Sequence, residues 1–410
     1  MACPYFDPEF EELNLKINPP RVTVDNTGDS VCTIVKVDSQ NRHGILLELV
    51  QTLSDLDLSI RKAYICSDGG WFMDVFHVTD QKGKKITEPK TIELIEKSLG
   101  PQSYKTKREG HHHTTVELIG QDRPGLLSEI SAVLAELRIN VVAAEVWTHN
   151  KRIACVLYVN DNDVAKLSLM EQQLKSLTAR TNLSMGFTHT DRRLHQMLFA
   201  DRDYEENPDP DFGNTQVNVK PSVTIDHCAD KDYSVVNVRC DDRAKLMFDI
   251  VCTLTDMHYV VFHASVTSDG PIASQEYFIR HIDGCTLDTE TEIKRVVKCI
   301  KAALHRRVSE GISFEVCGKD RVGLLSEVTR ILRENGLCVR RAGVTTVGEE
   351  AINVFYVRDA YGKSIGTKTI EAIRNEIGRT VMLNVKSSPV RELPVRKWGK
   401  TGLSLWKYFL

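Results

Sequence analysis

The chain has 410 residues, enough for about two to four domains and too many for a miniprotein. Lysine and arginine number 53 against 56 aspartate and glutamate, so no global field draws the chain to nucleic acid or to an anionic membrane. Eleven cysteines without a C-x-x-C pair argue against a disulfide framework and a zinc cluster, leaving reduced, mostly buried thiols as the expectation.

Residues 1–30 carry Asp7, Glu9, Glu11 and Glu12 and no apolar run, unlike a secretory or transit leader, and read as an N-terminal extension. No stretch approaches the ~18 consecutive apolar residues of a membrane span, so the cytoplasm is the expected compartment, with the nucleus also open. Four segments then match one another, starting at Val31, Thr114, Val235 and Ile312. Counted from the shared Arg42, Arg123, Arg243 and Arg321, the sixth residue is always acidic: Glu48, Glu129, Asp249 and Glu327. The eleventh is always leucine, and the twenty-first always alanine: Ala63, Ala144, Ala264 and Ala342.

Period assigns the elements of each unit. Alternation such as Val116 and Leu118 gives a first strand, and the stripe Leu126, Leu127, Ile130 and Leu134 gives an amphipathic helix ending near Arg138, or near Asp57, His258 and Gly336 in the other units. A β-branched run, a tight turn and an alternating run make a hairpin. Second helices read at 91–99, 168–179, 290–305 and 368–377, and closing strands at 182–187 and 381–385, weaker in the first and third units. The order β-α-β-β-α-β is the ferredoxin-like arrangement, an α+β fold with two helices on one face of an antiparallel sheet.

The expected domains are therefore 31–110, 114–190, 231–309 and 311–388, with a linker at 191–230 and a basic, aromatic tail at 389–410. The shared arginines lie 81, 120 and 78 residues apart, and the long middle step implies four repeats arranged as two tandem pairs, first with second and third with fourth. Part of the linker could form a short helix, and its Asp/Pro/Gly stretch reads as extended.

The candidate site is the elbow between first strand and first helix. A helix N-terminus offers unpaired amides and partial positive charge to a carboxylate, glycine permits close approach, and the leading Asp or Asn could cap the helix or accept from an ammonium group. Together these suit an α-amino acid, although an ordinary N-cap explains one such turn equally well. His111, His112 and His113 are adjacent and cannot converge as a metal site, and Asp209 with Asp211 lacks the setting of a nucleotidyltransferase. No P-loop, G-x-S-x-G or H-E-x-x-H occurs, so no catalytic residue, metal or cofactor is expected. The RNA-recognition fold shares the element order, and Trp71, Phe72 and Phe76 supply aromatics to one third strand, but the other units lack matching ones and the charge is balanced.

The sequence D-R-P-G-L-L-S-E-I at 122–130 resembles the characteristic turn of the ACT domain. Four such units over 31–386 resemble the plant ACT-domain repeat proteins, the ACR family, and are similar to the sensor region of bacterial uridylyltransferase. The resemblance implies a non-enzymatic regulator that binds a free amino acid between paired units and signals to a protein partner; units could also pair between chains as a homo-oligomer. The alternative is a ligand-free interaction scaffold. Carried over, the ligand turn would be Asp122, Arg123, Gly125 and Leu126 in the second unit, Asp320, Arg321, Gly323 and Leu324 in the fourth, and Asn41, Gly44 and Ile45 in the first. Lys245 replaces the glycine in the third, which reads as a structural partner.

Overall fold

The computed structural model describes residues 17–68, 70–101, 113–185, 189–205, 221–227, 232–287, 289–307, 312–361, 365–378 and 381–387. His111, His112, Asp209, Asp211 and the 389–410 tail lie outside the described residues. The chain divides into two compact units, one containing 1–109 and 217–301 and the other 110–216 and 302–393. None of the described helices is long and apolar enough to cross a membrane.

The first unit is an eight-stranded sheet in the order β1 (Arg21–Asp25), β2 (Thr33–Gln40), β4 (Trp71–Thr79), β3 (Ser59–Asp68), β11 (Tyr259–Asp269), β12 (Ile272–His281), β10 (Ser234–Asp241), β9 (Ser222–His227). Its helices are α1 (Ile45–Asp55), α2 (Pro89–Leu99), α6 (Leu246–Asp256) and α7 (Glu290–Arg306), the unit boundary falling inside α7. The second unit orders its strands β16 (Met382–Ser387), β13 (Ile312–Lys319), β15 (Glu350–Asp359), β14 (Leu337–Val347), β6 (Val141–His149), β7 (Arg152–Val159), β5 (Thr114–Gln121), β8 (Arg180–Met185). It carries α3 (Leu126–Glu136), α4 (Val164–Leu177), α5 (Thr190–Ala200), α8 (Leu324–Glu334) and α9 (Thr367–Ile377).

The ferredoxin-like α+β repeats stand, and there are two pairs, but the pairs are not tandem. Repeat 1 joins repeat 3 through β3 and β11, and repeat 2 joins repeat 4 through β6 and β14. Helix chemistry explains the choice. Eight residues after the shared arginine stand Val50, Ser131, Val251 and Thr329. Ser131 and Thr329 exchange a hydrogen bond of 2.8 Å between α3 and α8, whereas the buried Val50 and Val251 lie on α1 and α6, which pack on each other. Tandem pairing would set each hydroxyl against a valine, where it would keep its bond to its own helix, at the Leu127 or Leu325 carbonyl, and lose the one across the seam. The shared alanines lie at these seams, Ala144 opposite Val344 and Ala342 opposite Val146, Ala63 opposite Val266 and Ala264 opposite Ile65.

Repeats 1 and 3 also take their outer strand from upstream. β1 and β9 pair antiparallel with β2 and β10, so these repeats begin before residues 31 and 231 and have the order ββαββα. The matched stretches Val22-Thr23-Val24 and Val223-Thr224-Ile225, each starting twenty residues before its arginine, carry the alternation that makes them strands. The 191–230 linker accordingly contains β9 and nearly all of α5. α5 covers the face of the second sheet opposite the other helices, packing Leu194, Met197 and Leu198 on Trp147, Val156 and Tyr158. Beside it Arg306 is ion-paired with the fully buried Asp203 at 2.5 Å, and Arg307 stands 4.9 Å from the Trp147 ring centroid.

The first helices end where the pattern indicated. Asp57, Arg138 and His258 adopt φ of 55°, 54° and 65°, and Gly336 73°, in the left-handed turn that returns the chain to the sheet. In the third strand of repeat 1, Phe72 and Phe76 are core residues while Trp71 and Met73 are exposed, so these aromatics form no continuous stacking platform.

Candidate functional site

Each elbow is built alike. The backbone amide of Asn41, Asp122, Asp242 or Asp320 donates to the tip of its own hairpin, at Gly70, Lys151, Pro271 and Glu349 carbonyls, over 2.7–2.8 Å. The helix then starts after a left-handed residue, Gly44 (φ 81°), Gly125 (86°), Lys245 (61°) or Gly323 (88°). No side chain caps these four helices. The first helical amide of Ile45, Leu126 and Leu324 donates back to the carbonyl of the shared arginine, so the amides that face outward with the positive end of the helix dipole behind them are the next two.

The shared arginine and the acid six residues on pair with each other across this turn in every repeat: Arg42 with Glu48 and Arg123 with Glu129 at 2.5 Å, Arg243 with Asp249 at 2.7 Å, and Arg321 with Glu327. Their shared hydrogen bonds, and after them their mutual charge, hold Glu129 below its ordinary range and Arg123 above its own. Arg123 and Arg321 thus brace the elbow, with their guanidinium groups committed to an internal carboxylate.

Asp320, Arg321, Gly323 and Leu324 come together with α3 of repeat 2 in a cleft of about 380 Å³, counting its open mouth. Across the seam, Asn140 Nδ2 donates to Asp320 Oδ2 over 2.8 Å. A methyl group placed on Gly323 would stand 3.9 Å from the Ala135 Cβ, an ordinary contact distance. Behind the elbow, Thr346 and Asn353 line the same cleft.

Asp122, Arg123, Gly125 and Leu126 form the matching cleft of about 350 Å³ with Arg333, Cys338 and Val339 of repeat 4. Here the elbow is covered: a methyl group on Gly125 would stand 2.7 Å from Arg333 Cδ. Burial raises the Asp122 carboxyl to about 6, against the pull of Arg340 and Arg358. Both clefts are part-open, and each narrows inward to about the room of one water.

In the first unit, a methyl group on Gly44 would have open space around it among the described residues, and Ile45 is buried behind it. At the facing elbow Asp242 is bound 3.0 Å away by Arg61 of repeat 1, and Lys245 occupies the glycine position.

Sequence reasoning passed over Asn140, Arg333, Thr346 and Asn353. The signal was available in two columns. Seventeen residues after the arginine stand Ser59, Asn140, Val260 and Cys338, and thirty-two after it stand Asp74, Cys155, Gln275 and Asn353. The latter four are buried at 0–3% exposure on the third strand, a polar position in an otherwise apolar face.

Comparison with known proteins agrees with this architecture. The profile of the ACR family N-terminal ACT domain matches residues 28–106, and that of the ACT domain matches 114–178 and 234–301. The chain is 61% identical over 428 residues to the ACT domain-containing protein ACR3 of Arabidopsis thaliana, covering 97% of this chain and 93% of that one. It is 52% identical over 406 residues to ACR4 of the same plant, covering 93% and 90%. A shorter likeness, 37% over 81 residues, links 20% of this chain to 8% of the bifunctional uridylyltransferase/uridylyl-removing enzyme of Gluconobacter oxydans.

Proposed function

The chain belongs to the ACR family of ACT-domain repeat proteins, and from that premise we propose that it is a non-enzymatic regulator that binds a free amino acid at the Gly323 elbow and relays the event to a protein partner. The observation that carries this reading is the composition of the one cleft: uncapped helix amides beside Gly323, and a carboxylate, Asp320, met from the paired repeat by Asn140. A ligand carboxylate would accept from the amides at the start of α8, and its ammonium group would donate to Asp320. Pairing within one chain completes this cleft, so no homo-oligomer is needed for it.

Relay follows from where the cleft lies. Inside its open mouth the cleft narrows to about the room of one water, so an amino acid that seats its side chain there would move repeat 2 relative to the elbow of repeat 4; it would shift that equilibrium by its differential affinity for the two arrangements. The same narrowness favours the second reading, a scaffold whose elbows remain empty. Calorimetry of the full chain with each of the twenty amino acids separates the two. Heat from at least one of them, lost in Gly323→Lys, supports sensing; no heat from any supports the scaffold. Lysine is a fair probe because Lys245 already occupies the left-handed position of repeat 3.

A further inference from the structure

We propose that the amide of Asn353, with the hydroxyl of Thr346, reads the side chain of the amino acid held at the Gly323 elbow, so that the site takes a neutral amino acid whose side chain both donates and accepts hydrogen bonds. The inference rests on the sensing reading and adds a ligand class to it.

Two independent observations carry it. Asn353 is only 1% exposed, lies on the central strand β15 among apolar neighbours such as Phe355, and lines the cleft. Its Oδ1 has no hydrogen-bond partner among the described residues, and neither has the buried Oγ1 of Thr346, which lines the cleft as well. A buried polar atom left without a partner forfeits its hydration for nothing in return, and native cores keep few such atoms unless something comes to meet them.

The zwitterion's two charges are matched at the rim, by the α8 amides and by half-buried Asp320, whereas Asn353 and Thr346 lie on the sheet behind. What reaches them is the substituent on the α-carbon. An amide side chain can turn end for end, and the hydroxyl can rotate, so a group that both donates and accepts satisfies every orientation. Hydroxyl and carboxamide groups do so. A carboxylate lacks the donor that Asn353 Oδ1 calls for and would face Asp320, and an ammonium or guanidinium group could donate to both oxygens but would carry a full charge into an apolar wall.

The same position differs in each repeat, which is what a selector requires. Gln275 accepts from Tyr277 Oη and is already satisfied; Asp74 accepts only a long 3.4 Å bond from the Cys66 amide; Cys155 is fully buried and near enough to Asp122 to feel its charge. Among these residues, Asn353 is the neutral two-way group in a cleft whose elbow is uncovered.

The test uses matched pairs on the full chain by calorimetry: serine against alanine, threonine against valine, asparagine against leucine, glutamine against methionine. The proposal expects the polar member of at least one pair to bind tenfold or more tightly, and Asn353→Leu to reduce that preference to below threefold. Thr346→Val, at the less buried wall, reads the same ratio should Asn353→Leu fail to fold, and is expected to lower it as well. Pairs that bind within threefold in the unaltered chain, or a preference untouched by both substitutions, overturn side-chain reading while leaving amino-acid sensing in place. Absence of heat from all eight overturns this proposal, and silence from the other twelve as well overturns the sensing reading.

Discussion

The elbows at Gly323 and Gly125 share a fold, a seam and a sequence pattern, yet they present different surfaces. Position twelve after the shared arginine decides it: Ala135 faces the Gly323 elbow, and Arg333 lies across the Gly125 elbow. A repeat therefore does not carry its own site. It supplies an elbow, and its partner supplies the cover, so one pair of like repeats can hold one open elbow and one covered elbow.

The largest expected effect comes from exchanging that cover. Arg333→Ala should expose the Gly125 elbow and add one amino-acid site to the calorimetric stoichiometry, whereas Ala135→Arg should remove the Gly323 site. An unchanged stoichiometry in both would mean that the covers are irrelevant and would erase the distinction between the elbows.

The buried polar position beneath the elbows gives a second contrast, between Asp74 and Asn353. Burial raises the Asp74 carboxyl to about 7. The folded chain then keeps its proton up to about pH 7, while the unfolded chain releases it near 3.8, so the native state binds more protons between those values and stability falls as pH rises through them. Asp74→Asn, which installs the side chain found in repeat 4, should raise the melting temperature at pH 7.5 by several degrees and leave it nearly unchanged at pH 4. Equal shifts at both pH values would refute a titrating Asp74.

Smaller effects probe the seam and the turn. Ser131→Ala removes the cross-seam partner of Thr329, whose hydroxyl keeps its bond to the Leu325 carbonyl, and should lower stability by about 1 kcal/mol in denaturant unfolding; no loss would show seam polarity to be unimportant. Lys245→Gly relieves a side chain held at φ 61° and should gain about 0.5–1 kcal/mol, the least of the set, because glycine returns part of the gain to the unfolded state.

Much of the fold was legible because each repeat writes its elements in short-range periodicity. The Leu126, Leu127, Ile130 and Leu134 stripe became α3, and the left-handed stop at Arg138 fell where the stripe ended. Pairing was less legible, since spacing between arginines reports linker length and not which edges meet. The deciding information lay in Val50, Ser131, Val251 and Thr329, which match only as first with third and second with fourth. The outer strands β1 and β9 were missed because a strand at a sheet edge is short and half-exposed, as Val22 and Val24 are.

The elbows were visible as a motif, but their readiness was not. Gly125 and Gly323 look identical in sequence, and the side chain that covers one arrives from 208 residues further along the chain. Arg123 and Arg321, so prominent in the pattern, turned out to hold the turn closed on Glu129 and Glu327.

Hydrogen–deuterium exchange across the whole chain, with and without the amino acid that gives the strongest heat, addresses the central claim most directly. Protection should concentrate at the amides of Leu325 and Ser326, which follow the already bonded Leu324, and at the facing Asn140, with the amides of Leu127 and Ser128 unchanged. Protection of both helix starts alike, or at neither, would contradict the account.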